Sequence, residues 1–237
     1  MNFFFDALAW IFSPDRLSGS NAIPMRLAEH LYFTIISVAI AAAIAIPVGY
    51  LIGHTGRGRE LTVGISGAAR ALPSFGLILL LVTIMGVLQL QAAAIIAFVI
   101  LGIPSILAGA YAGLEAIDRR TIDAARGIGM TEWQILWKVE IPLGLPLLIG
   151  GLRNSTLQVV ATVTLAAYVA LGGLGFGIIQ GLALRRFDQM LGSAILIAVL
   201  ALVLDGLLAL IQRAVVPHGV TAAQGSSSLL PRRRALT

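Results

Sequence analysis

Few residues of this chain are suited to chemistry, and their spacing narrows the options further. There is no cysteine among 237 residues, so a disulfide framework, a thiolate metal site and a cysteine nucleophile are excluded. The histidines, His30, His54 and His218, are scattered and form no local ligand motif. A glycine cluster at Gly172, Gly173, Gly175 and Gly177 could be taken for a phosphate cradle, but no Lys-Ser/Thr pair follows it. It reads instead as a tight turn, a candidate gate. Because no other stretch carries a nucleotide-binding pattern, this chain is not expected to hydrolyse ATP. What remains is three ionisable residues in apolar surroundings, Arg70, Arg153 and Asp205, and one long polar segment, Glu115 to Glu140. Charges in such surroundings are costly and mark pairing or function; for these three, structural pairing is the expectation.

The elements that must position these residues are set by composition. The chain is 58% hydrophobic and 11% charged, with a mean hydropathy of +0.96. Soluble domains carry about 25% charge, so a water-soluble globule is excluded and the apolar excess must face lipid or other subunits. A spanning helix needs about 20 apolar residues. Five such stretches occur, Leu27 to Gly53, Leu61 to Leu88, Ala92 to Leu114, Leu143 to Leu171 and Met190 to Gln212. An all-α polytopic membrane protein of about five spans is therefore expected. The second span is the least regular, because Arg70 and Pro73 interrupt it, and a break near Pro73 is predicted.

Basic residues orient the spans. Ten flank one face (Arg57, Arg59, Arg119, Arg120, Arg126, Lys138, Arg213 and Arg232 to Arg234) and four the other (Arg16, Arg26, Arg185 and Arg186). The positive-inside rule then puts the amino terminus outside and the carboxyl terminus in the cytoplasm of a cell whose inner membrane holds the chain. The net charge of +5 is accounted for beside the apolar runs, and no nucleic-acid partner is expected. Residues 1–26 form an external segment with an interfacial helix, its Phe3, Phe4, Phe5, Trp10 and Phe12 at headgroup level. Residues 27–213 form the membrane domain, and residues 214–237 read as a disordered basic tail in the cytoplasm.

Residues 115–142 form the polar segment long enough to carry a function. Asp123-Ala124-Ala125 is followed by three residues and Gly129, then by nine more and Val139-Glu140-Ile141-Pro142. Two small residues in a row permit close approach of another surface, Gly129 permits a sharp turn between short helices before Met130, and Pro142 suits the start of the next span.

This spacing resembles the EAA loop of permease subunits of binding-protein-dependent type I ABC importers, in which Glu-Ala-Ala, three residues, Gly, nine residues and Ile-x-Leu-Pro recur. Asp123, Val139 and Ile141 stand where that pattern has Glu, Ile and Leu. Two further stretches are similar to the osmoprotectant branch: Arg70-Ala71-Leu72-Pro73-Ser74, against Arg-Thr-Ile-Pro-Ser, and Ala167-Tyr168 through Gly172, Gly173 and Gly175, which methionine permeases share in part. The resemblance implies that Asp123, Ala124, Ala125, Gly129, Met130 and Pro142 serve coupling to separate ATPase subunits, which hold the ATP and magnesium. It implies no cofactor in this chain, an external substrate-binding protein, a second permease subunit and surrounding lipid. Arg70, Pro73, Ser74, Tyr168, Gly172, Gly173 and Gly175 become pathway or gate candidates. The expected solute is glycine betaine, choline or carnitine, with methionine, or an ion-coupled carrier, as alternatives. Aromatic faces suited to a quaternary ammonium head are available at Tyr32, Phe33, Phe75, Phe98, Tyr111 and Tyr168.

Overall fold

A computed structural model describes residues 3–19, 21–60, 64, 67–68 and 71–215. Regular structure among them is helical throughout: α1 (Phe3–Ile11), α2 (Ile23–Thr55), α3 (Ser74–Met85), α4 (Leu90–Glu115), α5 (Arg119–Gly127), α6 (Glu132–Ile135), α7 (Ile141–Val163), α8 (Gly175–Ala183) and α9 (Phe187–Val215). Short 3₁₀ turns lie at Pro14–Arg16, Val87–Gln89 and Thr164–Val169. A π-helical turn, Leu136–Glu140, joins α6 to α7.

Four of the helical stretches are long and apolar enough to cross a membrane: Ile23–Thr55, Val87–Glu115, Glu132–Val169 and Phe187–Val215. Of the expected second span, α3 is described: a mostly apolar helix of twelve residues, about 18 Å long at 1.5 Å per residue, short of a ~30 Å hydrocarbon core. The predicted break falls at Leu72–Pro73, with Pro73 extended at φ −62° and ψ 114° immediately before the helix. Arg70 lies outside the described residues, as does the tail from residue 216 onward. The fourth span differs from its expected start at Leu143, since helical winding is continuous from Glu132 and Pro142 continues a helix already under way.

Helix α4 sits between α2 and α7, and backbones rather than side chains set the spacing. A Cβ placed on Gly109 would lie 2.6 Å from the Leu147 carbonyl, and one on Gly113 the same distance from that of Gly144. Small residues at such crossings let helices pack by van der Waals contact where lipid removes the hydrophobic incentive. Phe33, Ile78, Phe98, Val159 and Val163 fill one end of this core, and Ala41, Ile106, Ala110 and Leu148 the other.

The last span is held differently. Arg153 on α7 donates to both carboxylate oxygens of Asp205 on α9, at 2.7 and 2.8 Å, and Gln212 donates to the Pro146 carbonyl at 3.1 Å. The expected pairing of two of the three ionisable residues is thus observed. Helix α1 also lies on α9. Phe3, Phe4, Phe5 and Phe12 are exposed as expected, but Trp10 is not at headgroup level alone: its ring covers Gly192, where a Cβ would come within 2.6 Å. A glycine notch in α9 takes the indole that composition alone assigned to the interface.

Candidate functional site

Residues 115–142 fold as a helix, a turn and a second helix. Asp118 caps α5 by accepting the Arg120 N–H at 2.9 Å. Thr131 caps α6 in a reciprocal box with Gln134, whose side-chain oxygen accepts the Thr131 N–H at 2.9 Å. Between them Gly129 has φ +88°, the left-handed turn that its position in the pattern predicted.

Outward faces of this elbow are Asp123, Ala124, Gly129 and Ile128, the last 81% exposed; Met130 is half-buried beneath. Ala125 departs from expectation. It is 6% exposed and packs with Ile122 and Ile135, so its small size serves the seam between α5 and the next helix, not a partner's surface. Pro142 is half-buried in the first turn of α7.

Charged side chains fasten this elbow to the bundle. Arg126 donates to both oxygens of Glu132 at 2.8 and 3.1 Å and lies 3.6 Å from Asp123. The hydrogen bond and charge of Glu132 hold the Arg126 guanidinium above its ordinary value. His54, in the last turn of α2, donates from Nδ1 to Glu140 at 2.5 Å, while its Nε2 is 3.7 Å from Glu132. Arg59 pairs with Glu115 at 2.8 Å. His54, Arg59, Glu115, Arg126 and Glu140 line a cavity of about 220 Å³ that also includes Tyr111. Sequence reading singled out neither His54 nor Glu140 as a partner. Glu140 stood inside the pattern at a position the pattern leaves free, and 86 residues separate it from His54.

At the amino-terminal end of α2 the glycine turn is tied down. The Gly173 N–H donates to Glu29 at 2.8 Å, and Glu29 accepts from Arg26 at 2.9 Å. The Arg26 guanidinium lies over the Phe176 ring at 4.3 Å, and His30 donates from Nε2 to the Val160 carbonyl at 3.1 Å. Gly172 and Gly173 have φ +79° and +73°. A Cβ on Gly172 would run into the Glu29 carboxylate, and one on Gly175 into the Thr164 carbonyl.

The two remaining stretches singled out by sequence converge. Phe75, next to Pro73 and Ser74 at the start of α3, meets Tyr168 with ring centroids 5.0 Å apart and planes tilted by 59°. Both rings are exposed on this chain. Phe33 and Phe98, by contrast, are buried core partners 6.4 Å apart. No group of three or more His, Asp or Glu side chains suited to a metal ion occurs among the described residues.

Residues 45–218 match the family described as binding-protein-dependent transport system inner membrane component. The chain is 33% identical to the Listeria monocytogenes carnitine transport permease protein OpuCB, over 92% of this chain and 98% of that one. It is 31% identical to the Bacillus subtilis glycine betaine/carnitine/choline transport system permease protein OpuCB, over 82% and 89%. Its fold is similar to a chain in an inward-facing structure of the MetNI methionine ABC transporter, with a TM-score of 0.71, 25% identity, and 80% of this chain and 94% of that one covered. A helical bundle with an α5–Gly129–α6 elbow and a match over most of its length make this chain a member of the binding-protein-dependent transport system inner membrane component family, a permease subunit of an ABC importer.

Proposed function

We propose that this permease carries a quaternary ammonium osmoprotectant, of the glycine betaine, carnitine and choline class, delivered by an external binding protein. The observation that carries the reading is the near full-length similarity to permeases named for these solutes. The meeting of Phe75 with Tyr168 adds support, because each ring face attracts a trimethylammonium head by roughly 0.5–2 kcal/mol. Arg70, Pro73, Ser74 and the Gly172, Gly173 and Gly175 turn belong to the pathway or its gate in this proposal.

In the same reading α5 and the exposed residues Asp123, Ala124 and Gly129 dock on a separate ATPase subunit, with Met130 and Ala125 packed beneath them. Four long helices and a short one are too few to enclose a pathway, so a second permease subunit completes it. ATP binding draws the ATPases together, the elbows move with them, and the bundle switches between two packings; nucleotide drives this only by favouring one packing over the other. The amino terminus lies outside and the carboxyl terminus in the cytoplasm. Tags after Arg57 and at Arg120 are therefore reached from the cytoplasm, and a tag between Gly175 and Gln189 from outside.

The test is competition in the reconstituted importer. Glycine betaine, carnitine or choline should block uptake and stimulate ATP hydrolysis. Stimulation by methionine with no response to any quaternary ammonium compound overturns the solute and leaves the family standing.

A further inference from the structure

We propose that His54 is the joint through which the elbow grips the first spanning helix, and that its protonation sets how tightly. The proposal rests on the reading of residues 115–142 as the ATPase-coupling segment. Three observations carry it. His54 occupies the last turn of α2, and its Nδ1 lies 2.5 Å from Glu140, on the π-helical turn that leads into α7. Its other nitrogen faces Glu132 at 3.7 Å, and Glu132 is held by Arg126 on α5. A continuous chain of charge thus runs from α5 through Glu132 and His54 to α2, with Glu140 as its branch to α7. Elsewhere the elbow rests on its own small core of Ile122, Ala125 and Ile135, so these polar contacts are how it holds α2.

An imidazole of this geometry has two states. Neutral, it donates one hydrogen bond, and the short contact assigns that bond to Glu140. Charged, it donates from both nitrogens and attracts both carboxylates. Around it lie Glu132, Glu140 and Glu115, against Arg59, Arg119 and Arg126, with Tyr111 completing the cavity. Arg126 is engaged with Glu132 and Arg59 with Glu115, which leaves Glu140 as the carboxylate most dependent on His54. His54 is thus a positioning residue: its grip strengthens as cytoplasmic pH falls.

The experiment measures solute taken up per ATP hydrolysed by the reconstituted importer, with glycine betaine and its binding protein, across about pH 5 to 8. Wild type should lose coupling as pH rises. His54→Leu, which removes a charge-assisted hydrogen bond, should lower the ratio by about tenfold. His54→Gln can still donate to Glu140 and should keep most of the ratio, with a flat pH profile. A wild-type ratio in His54→Leu, or the same pH profile in wild type and His54→Gln, overturns the proposal; the second comparison decides alone if His54→Leu fails to assemble. Ile128→Asp, on the exposed turn, separates the two readings. If it leaves coupling intact, the coupling segment and the joint both fall; if it breaks coupling while His54 variants do not, the joint alone falls.

Discussion

Helix α2 is gripped at both ends, and the two grips are built from different materials. At the Glu29 end, backbone does the work: Glu29 accepts the Gly173 N–H, and Gly172 and Gly175 leave no space for even a methyl group. At the His54 end, long polar side chains meet across a cavity, and Gly129 has nothing within 4 Å of the place a Cβ would take. Close-packed contacts do not deform by degrees; they hold or they fail. Ion pairs on long side chains can lengthen and re-form. The first arrangement suits a fixed point and the second a moving one, so changes at the Glu29 end should act on the folded bundle and changes at the His54 end on coupling.

Gly175→Val should have the largest effect, because the new side chain meets the Thr164 carbonyl inside the bundle. Strain of this kind costs about 1–3 kcal/mol or more, and the purified chain should unfold at markedly lower temperature. Full thermal stability with only transport lost would break the comparison. Gly129→Val comes next. Its φ of +88° charges a β-branched residue about 1–2 kcal/mol of backbone strain in open space, so uptake should fall while insertion and thermal stability stay near wild type. Ala125→Leu overfills the seam with Ile122 and Ile135 and should act alike but more weakly, by about 1 kcal/mol confined to the elbow; proteolysis near Gly129 would report it. Smallest is Glu29→Gln, which keeps an acceptor for Gly173 and loses the charge facing Arg26, about 1 kcal/mol read as a small drop in melting temperature.

Much of this was legible beforehand, for identifiable reasons. Long apolar runs can be little else than spans, and Pro73 cannot sit unnoticed within one. The sharp turn at Gly129 followed from a glycine between two short polar stretches; the caps on either side of it, Asp118 and Thr131, became visible only in the fold. That Arg153 and Asp205 would each be paired followed from the cost of a lone charge in apolar surroundings; that each is the other's partner came from the fold. The His54–Glu140 contact did not, because nothing local distinguishes a histidine at the end of a span from any other, and the partner lies on a different helix. Nor did Trp10: indoles are at home at a lipid boundary, and the notch at Gly192 exists only once α9 is folded against α1. Ala125, expected to face a partner, packs instead against Ile122 and Ile135, since a small residue serves an internal seam as readily as an external groove.

The π-helical turn at Leu136–Glu140 gives the segment a ruler. An α-helical turn holds about 3.6 residues, and the wider turn accommodates an extra one between the elbow and Pro142. Deleting one residue there would return the stretch to ordinary winding and rotate everything before it by about 100° relative to α7. Ile135 would leave its seam and Glu132 would swing away from His54. Side chains along this stretch can therefore be exchanged, as Asp123, Val139 and Ile141 illustrate, far more easily than residues can be added or removed. A motif of this kind is written in intervals, and an insertion at Leu136–Glu140 should be tolerated only with a matching deletion nearby.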